Sequence, residues 1–450
     1  MAQRPNVIVF FTDQQRWDTT GVHGNPMGLT PYFDWMATAG THVAYAFTCQ
    51  PVCGPARSCL QTGLYATQTG CWRNGIPLPL EAKTLAHYFR DAGYRTAYIG
   101  KWHLYRRDEI GPVPPEARFG YEYWLASNVL EFTSDAYETV VYDNDCRPVR
   151  LPGYRVDALT DAAIRYIDAH QSEPFYLFLS YLEPHHQNHL DDYPPPFGYR
   201  ERYLGGWIPP DLAALGGSTH QHIAGYYGMV RRLDEALGRL LDALRSLKLL
   251  DDTIVLFTSD HGNHFKTRNS EYKRSCHESS IRVPTALYGG PFIGGGRISE
   301  LVSLVDLPPT LLDAAGIPIP EAMMGRSLLP LLRGGKADWP QEVFVQISEA
   351  QIGRCVRTRR WKYSVRAPGP ETCQDGGSSV YVEEFLYDLQ ADPYELTNLI
   401  HSEAHEPVRR VMRDRLLRRM REVGEPEPEI LPAERRRSGQ RRVSEEEALM

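Results

Sequence analysis

Residues able to bind a metal, move a proton or attack an electrophile recur in this chain where short apolar runs end. Asn6–Thr12 delivers Asp13 and Gln14, and Thr96–Ile99 leads into Gly100-Lys101-Trp102-His103. Phe175–Tyr181 leads into Glu183-Pro184-His185-His186, and Thr253–Thr258 into Ser259-Asp260-His261-Gly262. Asp13, Gln14 and Asp260 offer oxygen ligands suited to a hard cation such as Ca2+ or Mg2+. His261 could add a nitrogen ligand, as it could for a transition metal. Lys101 and Lys273 are cationic donors able to neutralise the oxygens of a tetrahedral anion. His103 and His185 can transfer protons near neutral pH. A divalent metal with lysines and histidines around one point describes a site for sulfuryl or phosphoryl transfer.

The candidate nucleophile is Cys53, in Cys53-Gly54-Pro55-Ala56-Arg57. This segment follows Pro51-Val52 and precedes Ser58–Tyr65, which can start a helix. Pro55 suits a first helical turn, where its missing N–H costs nothing. Free N–H groups at such a helix start favour a bound anion, and Arg57 adds a fixed positive charge near Cys53. A plain thiolate is nevertheless an odd partner for a hard cation, which prefers oxygen. Spacing alone leaves open how this cysteine works.

These groups need elements that bring them together. In open α/β sheets ligands bind beyond the carboxyl ends of the strands, so four strands with such endings predict one shared edge. Helical patterns alternate with the strands at Thr30–Ala39, Glu81–Ala92, Val156–Ala169, His220–Leu249 and Leu301–Ala315. Leu233, Leu237, Leu240, Leu241 and Leu244 form an apolar stripe on the longest of these. The fold class is therefore α/β, a large mostly parallel sheet flanked by helices over residues 1–335. Over 336–424 the short runs Val343–Ser348, Cys355–Arg357, Trp361–Val365 and Glu384–Asp388 precede a basic helix, Ser402–Val423. They predict a smaller C-terminal antiparallel sheet plus helix. Residues 425–450, rich in Pro, Glu and Arg, read as a disordered charged tail.

At 450 residues, 42% hydrophobic and 23% charged, the chain is neither collagen-like, nor disordered throughout, nor a small disulfide scaffold. No run approaches the ~18 apolar residues of a membrane span, and the start lacks a signal-peptide pattern. The chain reads as a cytoplasmic protein with reduced cysteines and no membrane partner. A net charge of −7 argues against a nucleic-acid partner. The arginines of the basic helix accompany Val408, Met412 and Leu416, the pattern of a docked helix with a solvated face. Cys49, Cys59 and Cys71 lack the paired spacing of a zinc site and read as small buried hydrophobes.

Cys53-Gly54-Pro55-Ala56-Arg57 resembles the C-x-P-x-R core of the formylglycine-dependent sulfatases, which share the alkaline-phosphatase-like fold. Asn6–Asp13, Thr62-Gly63, Gly93–Thr96 with Gly100–His103, Pro184-His185 and Ser259–Gly262 resemble further blocks of that family in order. So do Lys273 with Glu278 and Arg282-Val283-Pro284, and Leu386–Leu389 with Asp392–Glu395 and Asn398-Leu399. The resemblance implies that a maturation enzyme oxidises Cys53 to formylglycine (3-oxoalanine), whose hydrate attacks sulfur, loses the alcohol and then expels sulfate. It implies a Ca2+-like ion, with Mg2+ or Mn2+ as alternatives, held by Asp13, Gln14, Asp260, His261 and modified Cys53. Arg57 would support the hydrate, Lys101 and Lys273 would grip sulfate, His103 would bond the diol and His185 would protonate the leaving alcohol.

Two departures stand out. Gln14 occupies a position that is often Asp in the family, and Ala56 one that is often Ser. The implied substrate is a sulfate monoester, favoured as a small molecule or saccharide, with aryl sulfates as test substrates. A phosphonate monoester or phosphodiester hydrolase is the nearest alternative, and a non-catalytic binding protein a more distant one. His186 and His189 are either pocket-wall contacts or loop residues. Asn74 either faces substrate or forms a turn before Gly75. Oligomeric state is left open between monomer and homo-oligomer.

Overall fold

All seven residues of β1 (Asn6–Thr12) are buried, as a strand covered on both faces of a parallel sheet must be. Val7, Val9 and Phe11 enter one apolar cluster, while Ile8 and Phe10 enter another on the opposite face. The computed structural model describes residues 4–294, 296–335, 338–369, 375–437, 439 and 441–450. Residues 336 and 337, where the sequence places the start of a C-terminal unit, lie outside that set.

The main sheet contains β1, β2 (Thr41–Phe47), β3 (Arg95–Lys101), β4 (Tyr123–Ser127), β5 (Thr139–Tyr142), β6 (Pro148–Leu151), β7 (Phe175–Ser180) and β8 (Thr253–Ser259). It is completed by β9 (Arg282–Val283), β10 (Ala286–Tyr288) and β11 (Gly296–Ser303). Its order is β11-β2-β10-β8-β1-β7-β3-β4-β5-β6, with β9 beside β2. The strands β8, β1, β7 and β3 are neighbours and all parallel. Their four polar endings therefore emerge at one edge, as expected. Gly100 is the one residue type this edge accepts at its position: φ is +109°, and a Cβ there would lie 1.8 Å from the Ser180 carbonyl oxygen.

Helices α1 (Pro31–Ala39), α2 (Cys53–Thr62), α3 (Leu85–Asp91), α4 (Arg155–Ala169), α5 (Thr219–Ser246) and α6 (Leu307–Ala314) cover the two faces. The leucine stripe of α5 is buried with Phe33 and Met36 of α1 and Leu159 of α4. Each such leucine contributes roughly 1.5–3 kcal/mol. The expected helix Leu301–Ala315 is corrected: Leu301–Ser303 ends β11, paired in parallel with Tyr45–Phe47, and α6 begins only at Leu307. The apolar run at 301–305 satisfies either period, and pairing with β2 decides it.

The second sheet holds β12 (Glu342–Ile347), β13 (Gly353–Thr358), β14 (Trp361–Arg366) and β15 (Val380–Asp388) in antiparallel order. Helix α7 (Glu406–Glu422) buries Val408, Met412, Leu416 and Met420 in the same cluster as this sheet. The expectation of a disordered tail is corrected for its described part. Glu429–Leu431 forms β16, parallel to β15, and Ile430, Ala433, Val443 and Ala448 are buried. These few apolar residues, spaced among charges, suffice because the sheet edge and α7 are already in place to receive them.

Candidate active site

Helix α2 begins at Cys53 itself, after Val52 in extended conformation. Val52 has no side chain able to cap the helix. Asn74 does so from elsewhere, its Oδ1 accepting from the Gly54 N–H at 2.9 Å. Every residue of α2 is buried, so the N-terminus of the helix and Cys53 face the interior end of the sheet. Arg57, one turn on, donates to Asp13 Oδ2 at 2.9 Å, the Lys101 carbonyl at 2.9 Å and Ser180 Oγ at 2.7 Å. Its guanidinium thus serves the carboxylates more directly than Cys53.

Around Cys53 Sγ lie Lys273 Nζ at 2.8 Å, His261 Nε2 at 3.3 Å and Asp13 Oδ1 at 3.6 Å. Asp13, Cys53, Asp260 and His261 each place one ligand atom within 4.8 Å of the others. His261 directs Nδ1 to the Gly262 carbonyl oxygen at 2.9 Å, which leaves Nε2 for the cluster. Asp260 Oδ1 accepts from the backbone N–H groups of Gln14 at 3.0 Å and His261 at 2.8 Å. Gln14, held at φ +68°, donates through Nε2 to Tyr193 Oη at 3.2 Å, while its Oε1 is buried without a hydrogen-bond partner. An unsatisfied buried carbonyl is costly, and Gln14 is tied to the cluster by its backbone N–H to Asp260. The donor set fits a hard divalent cation, which would take up that oxygen.

The electrostatics agree. Burial and the nearby Cys53 raise the Asp13 pKa, but Lys101, His185 and Arg57 outweigh them and hold its carboxyl far below the usual range. Burial, then Asp13, push Asp260 up to about 7, as expected for a second acid in one pocket. Burial opposes ionisation of Cys53, yet Lys101, Lys273 and His261 together keep the thiol well below its ordinary value.

Lys101 is fully buried and donates to Asp13 Oδ2 at 2.8 Å and Glu131 Oε1 at 2.9 Å. Lys273 stands at the cavity wall, 3.3 Å from His185 Nε2. His185 ties Nδ1 to the His186 carbonyl oxygen at 2.7 Å. Burial and then Lys273 lower its pKa. His103, at φ +60°, lines the cavity with Nδ1 unpartnered.

The cavity above Cys53 measures about 940 Å³ and also takes in Asn74 and His186. His186 stacks on His185 with ring centroids 4.3 Å apart. His189 is not among its lining residues. It is 53% exposed and pairs with Asp135 at 3.3 Å, so the structure leaves it on the surface. Residues 349–351 and Arg366, Glu384 and Phe385 of the second sheet form part of the wall. Glu131 and Tyr193 belong to no motif read from the sequence.

An α/β fold with a cluster of potential metal ligands at the strand edge and Cys53 beside it at a helix start fits a hydrolase of tetrahedral anionic esters. The comparisons narrow this. The sulfatase family model matches residues 5–317, and the model for the C-terminal region of N-sulphoglucosamine sulphohydrolase matches 270–422. The chain is 30% identical over 439 residues to an ulvan-active sulfatase of Formosa agariphila, covering 94% of this chain and 82% of that protein. It is 30% identical over 458 residues to an arylsulfatase of Clostridium perfringens, covering 90% and 92%. The crystal structure of a putative sulfatase from Bacteroides fragilis superposes with a TM-score of 0.82 at 26% identity, covering 95% and 98% of the two chains. The chain belongs to the formylglycine-dependent sulfatase family of the alkaline-phosphatase-like superfamily. It is a sulfatase-type hydrolase of sulfate monoesters.

Proposed function

We propose that the chain hydrolyses a sulfate monoester of a saccharide, using formylglycine made from Cys53 by a maturation enzyme. The observation that carries this reading is Cys53 at the first position of α2, in contact with Lys273 and His261 at the floor of the cavity. The hydrated aldehyde would supply an oxygen nucleophile where the thiol now stands, which suits a hard cation better than sulfur. A Ca2+-like ion held by Asp13, Gln14, Asp260 and His261, when bound, would stabilise negative charge on oxygen.

The chain's own groups take the remaining roles. Lys273 presents its ammonium to sulfate oxygens at the cavity wall. Lys101 and Arg57 keep Asp13 ionised, so that it stays a competent ligand. His103 Nδ1 is free to bond the hydroxyls of the hydrate. His185 has its Nε2 toward the cavity. An anionic ester beside Lys273 would offset that lysine's charge and raise the ring's affinity for the proton it gives the leaving alcohol.

A saccharide is supported by the size of the cavity and by a lining that mixes apolar Ile110, Val129 and Phe132 with polar groups. One relative is ulvan-active and another is an arylsulfatase, so aryl sulfates are suitable test substrates. Both are sulfatases, which supports sulfate over the phosphonate monoester alternative raised by Gln14. The seven described cysteines are free thiols, which suits a reducing compartment. The test is a panel of sulfated saccharides, an aryl sulfate and a phosphonate monoester at matched concentration. Faster turnover of the phosphorus ester would overturn the substrate assignment.

A further inference from the structure

The second sheet does more than close one wall. Immediately after β12, Ser348 Oγ accepts from Gln50 Nε2 at 2.6 Å, and within β12 the Gln346 N–H donates to the Cys49 carbonyl oxygen at 2.9 Å. The strand end is thus fastened to the segment that leads into Cys53. The next residue, Glu349, is held at φ +68°, a left-handed conformation that a non-glycine residue adopts only when its surroundings impose it. Its side chain is 19% exposed and forms two contacts. Oε1 accepts from the Asn74 N–H at 2.6 Å, and Oε2 pairs with Arg274.

Each contact reaches Cys53 by one further step. Asn74 Oδ1 accepts from Gly54 N–H at 2.9 Å and so caps a catalytic helix whose own cap position, Val52, is apolar. Arg274 adjoins Lys273, whose Nζ lies 2.8 Å from Cys53 Sγ. Arg274 also stands at positive φ, +67°. One carboxylate therefore holds both the cap of the nucleophile helix and the backbone that carries the lysine touching the nucleophile.

We infer that Glu349 is a positioning residue for the sulfate-ester reaction, and that through it the C-terminal sheet fixes the distance between Cys53 and Lys273. This rests on the reading of Cys53 as the source of the nucleophile. The two clamped segments, 73–75 and 273–274, are far apart in sequence, and Glu349 lies in a third. A misplacement of Lys273 relative to the reacting group weakens transition-state contacts more than ground-state binding, so it shows in kcat.

The experiment compares wild type, Glu349→Ala, Glu349→Gln, Asn74→Ala and the Glu349→Ala/Asn74→Ala double variant as full chains. Each is assayed on one aryl sulfate and one saccharide sulfate, with rates normalised to formylglycine content by peptide mass spectrometry and with thermal melts alongside. Glu349→Ala is expected to lower kcat on the order of 10-fold to 100-fold on both substrates, with KM within about twofold. Glu349→Gln keeps an acceptor for the Asn74 N–H but turns a donor toward Arg274, so it should recover only part of that loss. The double variant should fall little below Glu349→Ala, since loss of Glu349 already frees the Asn74–Gly54 arm that Asn74→Ala removes. An unchanged kcat in Glu349→Ala, a rise in KM alone, or a loss in the double variant equal to the product of the single losses would each overturn the inference. A rise in KM alone would make Glu349 a substrate contact. Wild type at full formylglycine content that turns over no sulfate ester would overturn the reading of the site, and this inference with it.

Discussion

Two clusters of buried charge lie close together in this protein and behave differently. One surrounds Cys53 and contains Asp13, Asp260 and Glu131 with Arg57, Lys101 and Lys273. The other joins the main domain to the second sheet. In it Glu278 accepts from Arg357 Nε and Nη2, each at 3.2 Å, and pairs with Lys362 Nζ at 2.8 Å. Lys362 also pairs with Glu395 Oε1 at 2.6 Å, and Arg282 lies 3.9 Å from Glu278. The second cluster has its acids matched by cations: burial would raise the Glu278 pKa, but Arg357, Lys362 and Arg282 hold it far below the usual range. The first keeps Gln14 Oε1, Glu131 Oε2 and His103 Nδ1 unpartnered and opens on a cavity. In the second, Arg282 Nε, Lys362 Nζ and Glu395 Oε1 also lack a hydrogen bond, but its charges pair with one another away from the cavity. Unpartnered groups beside a cavity mark a place for a ligand.

Substitutions should separate the two along that line. Cys53→Ala is expected to lower turnover by at least about 10³-fold while the melting temperature stays near wild type, because a small side chain replaces a small one. Sulfate release and a thermal melt measure both, and near-normal turnover would refute the nucleophile. Glu278→Ala should do the reverse. It leaves buried Arg357 and Arg282 without their carboxylate and Lys362 with Glu395 alone, and is expected to cost about 3–5 kcal/mol of stability. Urea unfolding reads this loss, and kcat of the protein that remains folded should change far less than in Cys53→Ala.

Chelation probes the unsatisfied side. Removing divalent cations should abolish activity, and adding Ca2+ back should raise the melting temperature. A gain of about 2.7 kcal/mol is expected at a hundredfold excess over Kd. Tyr193→Phe removes the hydroxyl that orients Gln14 and should weaken metal affinity by roughly 10-fold to 100-fold, as read by titration calorimetry. The smallest effect should come from Arg418→Ala on α7. Its side chain is 50% exposed where it meets Glu342, and such a pair contributes about 0–1 kcal/mol.

The strands that carry the chemistry were legible because each is an uninterrupted apolar run ending in an ionisable group. Their adjacency follows from parallel pairing, which brings Asp13, Asp260 and His261 together with Cys53. Edge elements were harder to read. Leu301–Ser303 follows helical and strand periods equally well, and the tail segment Glu429–Leu431 forms a strand only because β15 offers it an edge. Glu131, Tyr193 and Glu349 were invisible for another reason. They act through long-range contacts, Glu131 to Lys101, Tyr193 to Gln14 and Glu349 to Asn74 and Arg274, and no local pattern records such contacts. Asn74 stands out beside Gly75 in the sequence, but its use as a remote helix cap depends on Val52 being unable to serve.

The account turns on the state of Cys53. Peptide mass spectrometry of protein from its native host, matched to turnover of the same sample, addresses it directly. The account predicts a Cys53 peptide carrying the aldehyde, with turnover rising in proportion to its fraction. Sulfate-ester hydrolysis by protein whose Cys53 remains a fully alkylatable thiol would contradict it.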